Sequence, residues 1–150
     1  MFNENHMHIF MIGTDYKQAV HDMKQGKNEE VVRKNLRSYK EAGITWLRDG
    51  GDHYGASVLA RKLAPEYGIV YRTPCFGIHK KGHYGGIVGL AFEDLTEYHT
   101  LVKKAKQQHA DFIKIMISGI MDFSTDGSLT EDSLTDTEIT EMIHIAHEEG

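Results

Sequence analysis

The chain has 150 residues and a formal net charge of −5, from 17 Lys and Arg against 22 Asp and Glu. Hydrophobic residues make up 40% and charged residues 26%, which fits one globular domain and excludes a disordered or fibrous chain. The acidic balance argues against nucleic acid, whose binding depends on neutralising phosphates, and no apolar stretch is long enough to span a bilayer. A single cysteine, Cys75, suits a reducing compartment, so we expect a cytoplasmic protein.

Short apolar runs alternate with segments of helical periodicity along the chain. Strands are predicted at residues 8–12, 44–47, 69–73 and 112–117. Helices are predicted to start near residues 28, 56, 94 and 135. This pattern is a βα unit repeated about four times, in an α/β fold. Because the strands are almost continuously apolar, we expect a parallel sheet that is covered on both faces or closed into a barrel.

The helix boundaries carry local signals. Asn28 precedes two glutamates and is the expected N-cap of the first helix, which Gly43 ends. Thr135 and Glu138 have the spacing of a capping box at the start of the last helix. These signals support the helical segments of the βα repeat.

The segments that follow the predicted strands are long and polar, whereas those that follow the helices are short. α/β enzymes place their sites in the loops at the carboxyl ends of parallel strands, so this asymmetry indicates an enzyme site there. The longest of these segments is a loop predicted at residues 77–89, rich in Gly and His. A dinucleotide fingerprint is missing after the first strand, and the sequence has no P-loop motif, which argues against a nucleotide fold.

His6 and His8 form an H-x-H pair in the first predicted strand region. Alternate side chains of a strand share a face, so both imidazoles are expected to point the same way and could chelate one metal ion. The alternative is two solvated histidines near the start of the chain, since the sequence contains ten histidines.

Lys114 lies inside the apolar run at residues 112–117. An ammonium group in a strand interior is costly unless it is paired or loses its charge. Three interpretations are possible. Lys114 pairs with a carboxylate such as Asp49, forms a Schiff base with a substrate, or has reacted with carbon dioxide to give an anionic metal ligand.

The predicted Gly- and His-rich loop and the end of the second strand carry further polar groups. In the loop, His79, His83 and Tyr84 offer donors and acceptors for a ligand, or belong to a flexible surface loop. Asp49 is expected to be structural, by pairing with Arg48 or Lys114, or to orient a metal-bound histidine.

In combination, these motifs are more specific than any one of them. The chain carries H-x-H at residues 6–8, R-D-G-G at residues 48–51, the His and Gly loop, and F-I-K-I-M-I-S-G at residues 112–119. This order resembles the metal-dependent amidohydrolase superfamily, in particular its imidazolonepropionase-like and prolidase-like branch. The resemblance covers residues 5–150.

The resemblance implies a TIM-type (β/α)₈ barrel that hydrolyses amide or ester-like bonds with one or two divalent metals. His6 and His8 match two metal ligands of the first strand, and Lys114 matches a lysine that many members carry as a metal-bridging carbamate. Zinc is the most favoured metal, while manganese, iron and nickel suit the same ligands. The loop that often lines the substrate pocket in the family corresponds to His79, His83 and Tyr84.

The family takes further metal ligands and an aspartate general base from its later strands. The resemblance therefore implies that residues 1–150 form one N-terminal half-barrel of about four βα units, with no complete catalytic set. We expect a fragment of a longer enzyme; a split barrel that pairs with a second chain and a homodimer of half-barrels are the alternatives.

The expected function is hydrolysis of carbon–nitrogen bonds in a small amide or cyclic amide by a metal-activated water. This chain would supply the first half of the site and would be inactive alone. Two alternatives stay open: a half-barrel without catalysis that binds metal or a partner, and a Schiff-base enzyme of the aldolase type that uses Lys114.

Overall fold

A computed structural model of the chain describes residues 2–11, 13, 15–130 and 132–150. Its strands are Phe2–Met7 (β1), Ile44–Asp49 (β2), Val70–Arg72 (β3), Gly77–Lys80 (β4), Gly89–Phe92 (β5) and Lys114–Ile115 (β6). Its helices are Tyr16–Lys24 (α1), Asn28–Glu41 (α2), Ala56–Leu63 (α3), Leu95–Gln107 (α4) and Asp136–Glu148 (α5), with a short 3-10 helix at Ala64–Tyr67. None of these helices is long and apolar enough to cross a membrane.

The strands form two parallel sheets of three, in the orders β1-β2-β3 and β5-β4-β6. The predicted α/β class with parallel strands is therefore confirmed. The prediction of four strands, one per βα unit, is wrong for the described residues. The third apolar run is followed by a turn in which Cys75 has a φ of 67°, and the chain leaves the first sheet there and enters the second.

Strand β1 and the N-cap of α2, the first predicted helix, differ from the sequence predictions. Strand β1 ends at Met7, so the predicted strand at residues 8–12 is wrong where the structure describes it; Ile12 lies outside the described residues. Asn28 does not cap α2: Lys27 precedes the helix without a side-chain cap, and the Asn28 amide donates to the Tyr54 carbonyl at 2.8 Å. The amide has found a partner in another part of the chain, which a local sequence signal does not reveal.

The predicted loop at residues 77–89 contains strand β4 and the first residue of β5. Gly77 and Gly89 lie opposite each other in the register, and a Cβ built on Gly89 would stand 2.6 Å from the Gly77 carbonyl oxygen. The two glycines allow a close approach of backbones that larger residues would block. Glycine is depleted in strands, which is why the composition of this segment favoured a loop.

Each sheet covers its own apolar core. The first core packs β1–β3 against α1–α3, and the second packs β4–β6 against α4 and α5. Strand alternation around Lys114 is confirmed: Ile113 and Ile115 pack against the second core, and Met116 packs against the first. Lys114 therefore points away from the second core, towards the ends of β1 and β2.

Asp52 holds the start of α3 from a buried position. Its carboxylate accepts hydrogen bonds from the backbone N–H groups of Tyr54 (2.7 Å), Ala56 (3.0 Å) and Ser57 (2.6 Å). These N–H groups belong to the helix start and have no partner within the helix, so one side chain satisfies several donors at once. This fixes the loop that follows the second strand.

We predict that Asp52→Ala lowers the free energy of unfolding by about 1–3 kcal/mol, because it leaves buried donors unpaired. Urea denaturation followed by circular dichroism measures this loss. Asp94→Ala is the matched control, since Asp94 is an exposed cap that accepts from Glu97 N–H alone, and it should cost about 1 kcal/mol or less. An equal or smaller loss for Asp52→Ala than for Asp94→Ala would contradict this role.

Candidate functional site

Three side chains predicted from the sequence converge at one place. His6 lies near the end of β1, His8 follows that strand, and Lys114 begins β6. The His6 Nε2 and Lys114 Nζ atoms are 2.7 Å apart, and the centroids of the two imidazole rings are 5.7 Å apart. The fold thus brings together residues that are 108 positions apart in the chain.

Gly50 forms the floor of this cluster. A Cβ built on Gly50 would overlap the His8 ring, at 2.7 Å from Nε2, and would stand 2.8 Å from the Lys114 Nζ atom. The imidazole and the amine therefore fill the space that a side chain at position 50 would need. The glycine that follows strand β2 is what allows His8 and Lys114 to approach each other.

His8 is held in one orientation by the next glycine. Its Nδ1 lies 2.8 Å from the Gly51 carbonyl oxygen. A carbonyl only accepts, so Nδ1 carries the proton and the Nε2 lone pair is left for another partner. Gly51 has a φ of +84°, and a Cβ there would stand 2.7 Å from the Phe76 Cα atom. A side chain at this position is therefore excluded on both counts.

Asp49 is fully buried and does not make the ion pairs expected from the sequence. Its carboxylate accepts hydrogen bonds from Ile9 N–H (2.9 Å), the Tyr71 hydroxyl (2.5 Å) and Gly51 N–H. Within the described residues it forms no salt bridge with Arg48 or Lys114. Burial raises the pKa of Asp49 from 3.8 to about 7, against the three hydrogen bonds, which favour the charged form.

The three converging groups are all biased towards their neutral forms. The Lys114 ammonium lowers the pKa of His6, while burial lowers the pKa of His8. Burial also lowers the pKa of Lys114 itself, and the nearby Arg48 guanidinium acts in the same direction. Arg48 lies over the Phe112 ring, 4.3 Å from its centroid. Neutral imidazole and amine nitrogens have lone pairs that can bind a metal or attack an electrophile.

An open cleft of about 420 Å³ gives access to two of these groups, His6 and Lys114. Its walls come from the end of β1, the R-D-G turn after β2 and the β6 segment. Its lining residues are Asn5, His6, Arg48, Asp49, Gly50, Phe112, Ile113, Lys114 and Ile115. A small polar molecule could therefore reach the His6 and Lys114 nitrogens from solvent.

The three residues predicted to bind substrate do not line this cleft. His79 is buried within β4, and its Nδ1 lies 3.0 Å from the Lys80 carbonyl oxygen. His83 and Tyr84 lie in the turns between β4 and β5, where Tyr84 is 44% exposed. Their assignment to a substrate pocket stays a prediction.

Sequence reasoning missed two buried polar residues next to the cluster. Tyr71 in β3 reaches the Asp49 carboxylate, and the Asn35 amide in α2 donates to the Ile9 carbonyl at 2.6 Å. Both positions follow the apolar periodicity of their elements and therefore look like ordinary core positions. An asparagine on the buried face of α2, between Val32 and Leu36, was the available signal.

The donor set fits a divalent metal in part. Among the residues that the structure describes, no group of three or more His, Cys, Asp or Glu side chains is arranged to hold a metal ion. The His6 and His8 imidazoles are suitable ligands, and the Lys114 amine lies beside them. Lys114 fits such a site as a neutral amine or a carbamate, because an ammonium group has no lone pair.

Comparisons with known proteins show the fold. No protein-family model matches the chain, and no curated protein matches it. Three crystal structures match 99% of the chain: an uncharacterized protein (TM-score 0.71, 18% identity), a candidate prolidase from Bifidobacterium longum (0.61, 19%) and an amidohydrolase (0.61, 18%). The chain thus has an amidohydrolase-like α/β fold. It spans 39%, 32% and 40% of the lengths of those three chains, respectively.

We predict that Gly50→Ala disrupts the cluster, because the added methyl group would overlap the His8 ring. The variant should lose about 1–3 kcal/mol of unfolding free energy through overpacking, measured by urea denaturation. Gly86→Ala is the matched control, since a Cβ at Gly86 meets nothing within 4 Å, and it should be close to neutral. Equal stability of the two variants would show that His8 and Lys114 move aside freely.

We also predict that the free energy of unfolding falls as the pH rises, because of the raised pKa of Asp49, and that Asp49→Asn does not show this fall. Because folding raises this pKa to about 7, the folded chain holds a proton that the unfolded chain has released above pH 3.8. The resulting stability is present at low pH and is lost as the pH rises towards 7, by at most about 4 kcal/mol. The side chain in Asp49→Asn is neutral at every pH, so this variant does not lose that part of its stability.

Urea denaturation of both proteins at about pH 5 and about pH 7.5 tests this sign. The stability of Asp49→Asn relative to the original chain should improve at the higher pH. His6 and His8 titrate in both proteins, so their contributions cancel in the comparison. A stability difference that is the same at both pH values would mean that Asp49 is ionised throughout.

Proposed function

We propose that this chain supplies part of the site of a metal-dependent hydrolase that cleaves carbon–nitrogen bonds in small amides or cyclic amides. The observation that carries the proposal is the convergence of His6, His8 and Lys114 above Gly50. Its two histidines lie at the carboxyl end of the parallel strand β1, the end at which α/β enzymes place their chemistry. The amidohydrolase-like fold supports the same class of reaction.

His6 and His8 are the proposed metal ligands. His8 would bind through Nε2, since its Nδ1–H is directed at the Gly51 carbonyl. His6 would bind through the Nε2 that now faces Lys114. Zinc suits such nitrogen ligands best, although manganese, iron and nickel are also accepted. A divalent metal, when bound, lowers the pKa of a water molecule and polarises the scissile carbonyl.

Lys114 is proposed as a third ligand after reaction with carbon dioxide. Its amine nitrogen would attack the carbon of CO₂ and release a proton, which gives a carbamate anion in place of a cation. Burial lowers the pKa of Lys114 and so favours the neutral amine, which is the reactive form. The conversion would also remove a positive charge beside His6 and Arg48.

The proposed site needs groups beyond those of this cleft. Among the described residues that line the cleft, Asp49 has the one carboxylate. That carboxylate already accepts three hydrogen bonds from within the chain. We therefore propose that a general base and further ligands come from outside these 150 residues, in a longer chain, a second chain or a second copy. His79, His83 and Tyr84 are proposed to line the substrate pocket of that assembled protein.

A second candidate function uses Lys114 as a Schiff-base nucleophile. The observation in its favour is a half-buried amine with a lowered pKa, 2.7 Å from the imidazole of His6. Such an enzyme needs no metal. Borohydride reduction in the presence of a small carbonyl compound would then attach that compound covalently to Lys114, as seen by mass spectrometry.

We predict that the purified chain binds zinc through His6 and His8. Equilibrium dialysis followed by elemental analysis should give one zinc per chain, and His8→Ala should abolish this binding because it removes an imidazole ligand. His21→Ala is the matched control, since His21 is an exposed histidine on α1, and it should bind zinc like the original chain.

The outcomes separate the two candidate functions. Zinc lost in His8→Ala and kept in His21→Ala supports the metal-dependent site. No zinc binding together with borohydride trapping on Lys114 would favour the Schiff-base enzyme. Amide hydrolysis by the purified 150-residue chain alone would contradict the proposal that the chain holds only part of the site.

A further inference from the structure

The backbone at Ile9, the residue after His8, is held by two buried polar side chains, one on each of its two peptide groups. The Ile9 N–H donates to the Asp49 carboxylate at 2.9 Å, and the Ile9 carbonyl accepts from the Asn35 amide at 2.6 Å. Ile9, Asn35 and Asp49 are all almost fully buried. The backbone that carries His8 therefore cannot shift without breaking hydrogen bonds in the interior.

The same carboxylate also holds the acceptor of the His8 ring. Asp49 accepts from Gly51 N–H, and the carbonyl of Gly51 is the group that accepts from His8 Nδ1–H. The adjacent Gly50 N–H donates to the Met7 carbonyl at 2.6 Å. One side chain thus fixes both partners of the His8–Gly51 hydrogen bond.

Tyr71 completes the arrangement from the neighbouring strand. Its buried hydroxyl donates to Asp49 at 2.5 Å, and its position is set by the pairing of Leu47 with Tyr71 between β2 and β3. A buried carboxylate is costly, and a network in which every member is satisfied gives rigidity in return. Asn35 and Tyr71 lie outside the lining of the cleft, and the network reaches His8 through the backbone at Ile9 and Gly51.

We infer that Asn35, Asp49 and Tyr71 are positioning residues that keep His8 in its Nδ1–H tautomer, with Nε2 directed at the space above Gly50 that the Lys114 amine also reaches. This inference assigns a role to Asn35 and Tyr71 that rests on the proposed metal-dependent function. None of the three is proposed as a metal ligand. They act by holding the backbone at Ile9 and the Gly51 residue whose carbonyl faces His8.

The direct test is the tautomer of His8 in the chain without metal. Long-range proton–nitrogen NMR at mildly alkaline pH distinguishes protonated from unprotonated ring nitrogens, and His8→Gln identifies the His8 signals by their loss. We expect a protonated Nδ1 and an unprotonated Nε2. A ring with Nε2 protonated, or with both tautomers mixed, would overturn the inference.

Tyr71→Phe tests the network with a matched control. It removes one hydroxyl, and Tyr98→Phe removes another buried hydroxyl, which has no hydrogen-bond partner among the described residues. Tyr71→Phe should mix the His8 tautomers and weaken zinc binding by roughly 10- to 100-fold. Tyr98→Phe should change neither. Tautomer and zinc affinity both unchanged in folded Tyr71→Phe would overturn the role of Tyr71.

A second variant covers the case in which Tyr71→Phe does not fold. Asn35→Leu removes the donor to Ile9 and keeps a side chain with the same number and branching of heavy atoms, and it should also mix the His8 tautomers. A pure Nδ1–H tautomer in this variant would overturn the role of Asn35. If zinc fails to bind while His8 keeps its tautomer in the original chain, the prediction that His6 and His8 bind zinc in this chain is wrong and the positioning of His8 stands.

Discussion

The Asp49 carboxylate is the group on which the arrangement of the candidate site depends. It accepts hydrogen bonds from Ile9, Gly51 and Tyr71, and so it joins the end of β1, the turn after β2 and the middle of β3. Burial of a carboxylate without such partners is costly, because its hydration is lost and nothing replaces it. The same three contacts make the ends of the first two strands a rigid platform for His8.

Two glycines after β2 turn this platform into a site. Gly50 leaves space for the His8 ring and the Lys114 amine, and Gly51 adopts a positive φ that directs its carbonyl at His8 Nδ1. Backbone groups and small residues therefore do the positioning, while the side chains that face the cleft stay available for chemistry. Burial and the close contact of His6 with Lys114 favour the neutral forms of these side chains.

The overall fold and the local geometry of the candidate site are two separate observations in favour of a hydrolase. Crystal structures with 18–19% identity share the fold of the whole chain, and this chain spans 32–40% of their lengths. The local geometry provides two imidazoles at the carboxyl end of a parallel strand, with the amine of Lys114 beside them. Together they favour the proposed hydrolytic site, whose general base and further ligands remain to be found by experiment.

The sequence by itself determined the α/β class, the parallel strands and the helices that apolar periodicity marks, because burial of an apolar face is encoded locally. It also predicted His6, His8 and Lys114 as candidate site residues, since histidines in alternation and a lysine in an apolar run are unusual patterns. The tertiary structure alone decided that the Asp49 carboxylate accepts hydrogen bonds from backbone N–H groups and Tyr71 and does not pair with Lys114. It also decided that the Asn28 amide donates to the Tyr54 carbonyl and that residues 77–80 form a strand. Those outcomes depend on which donors and backbones meet across the fold, and no local pattern contains that information.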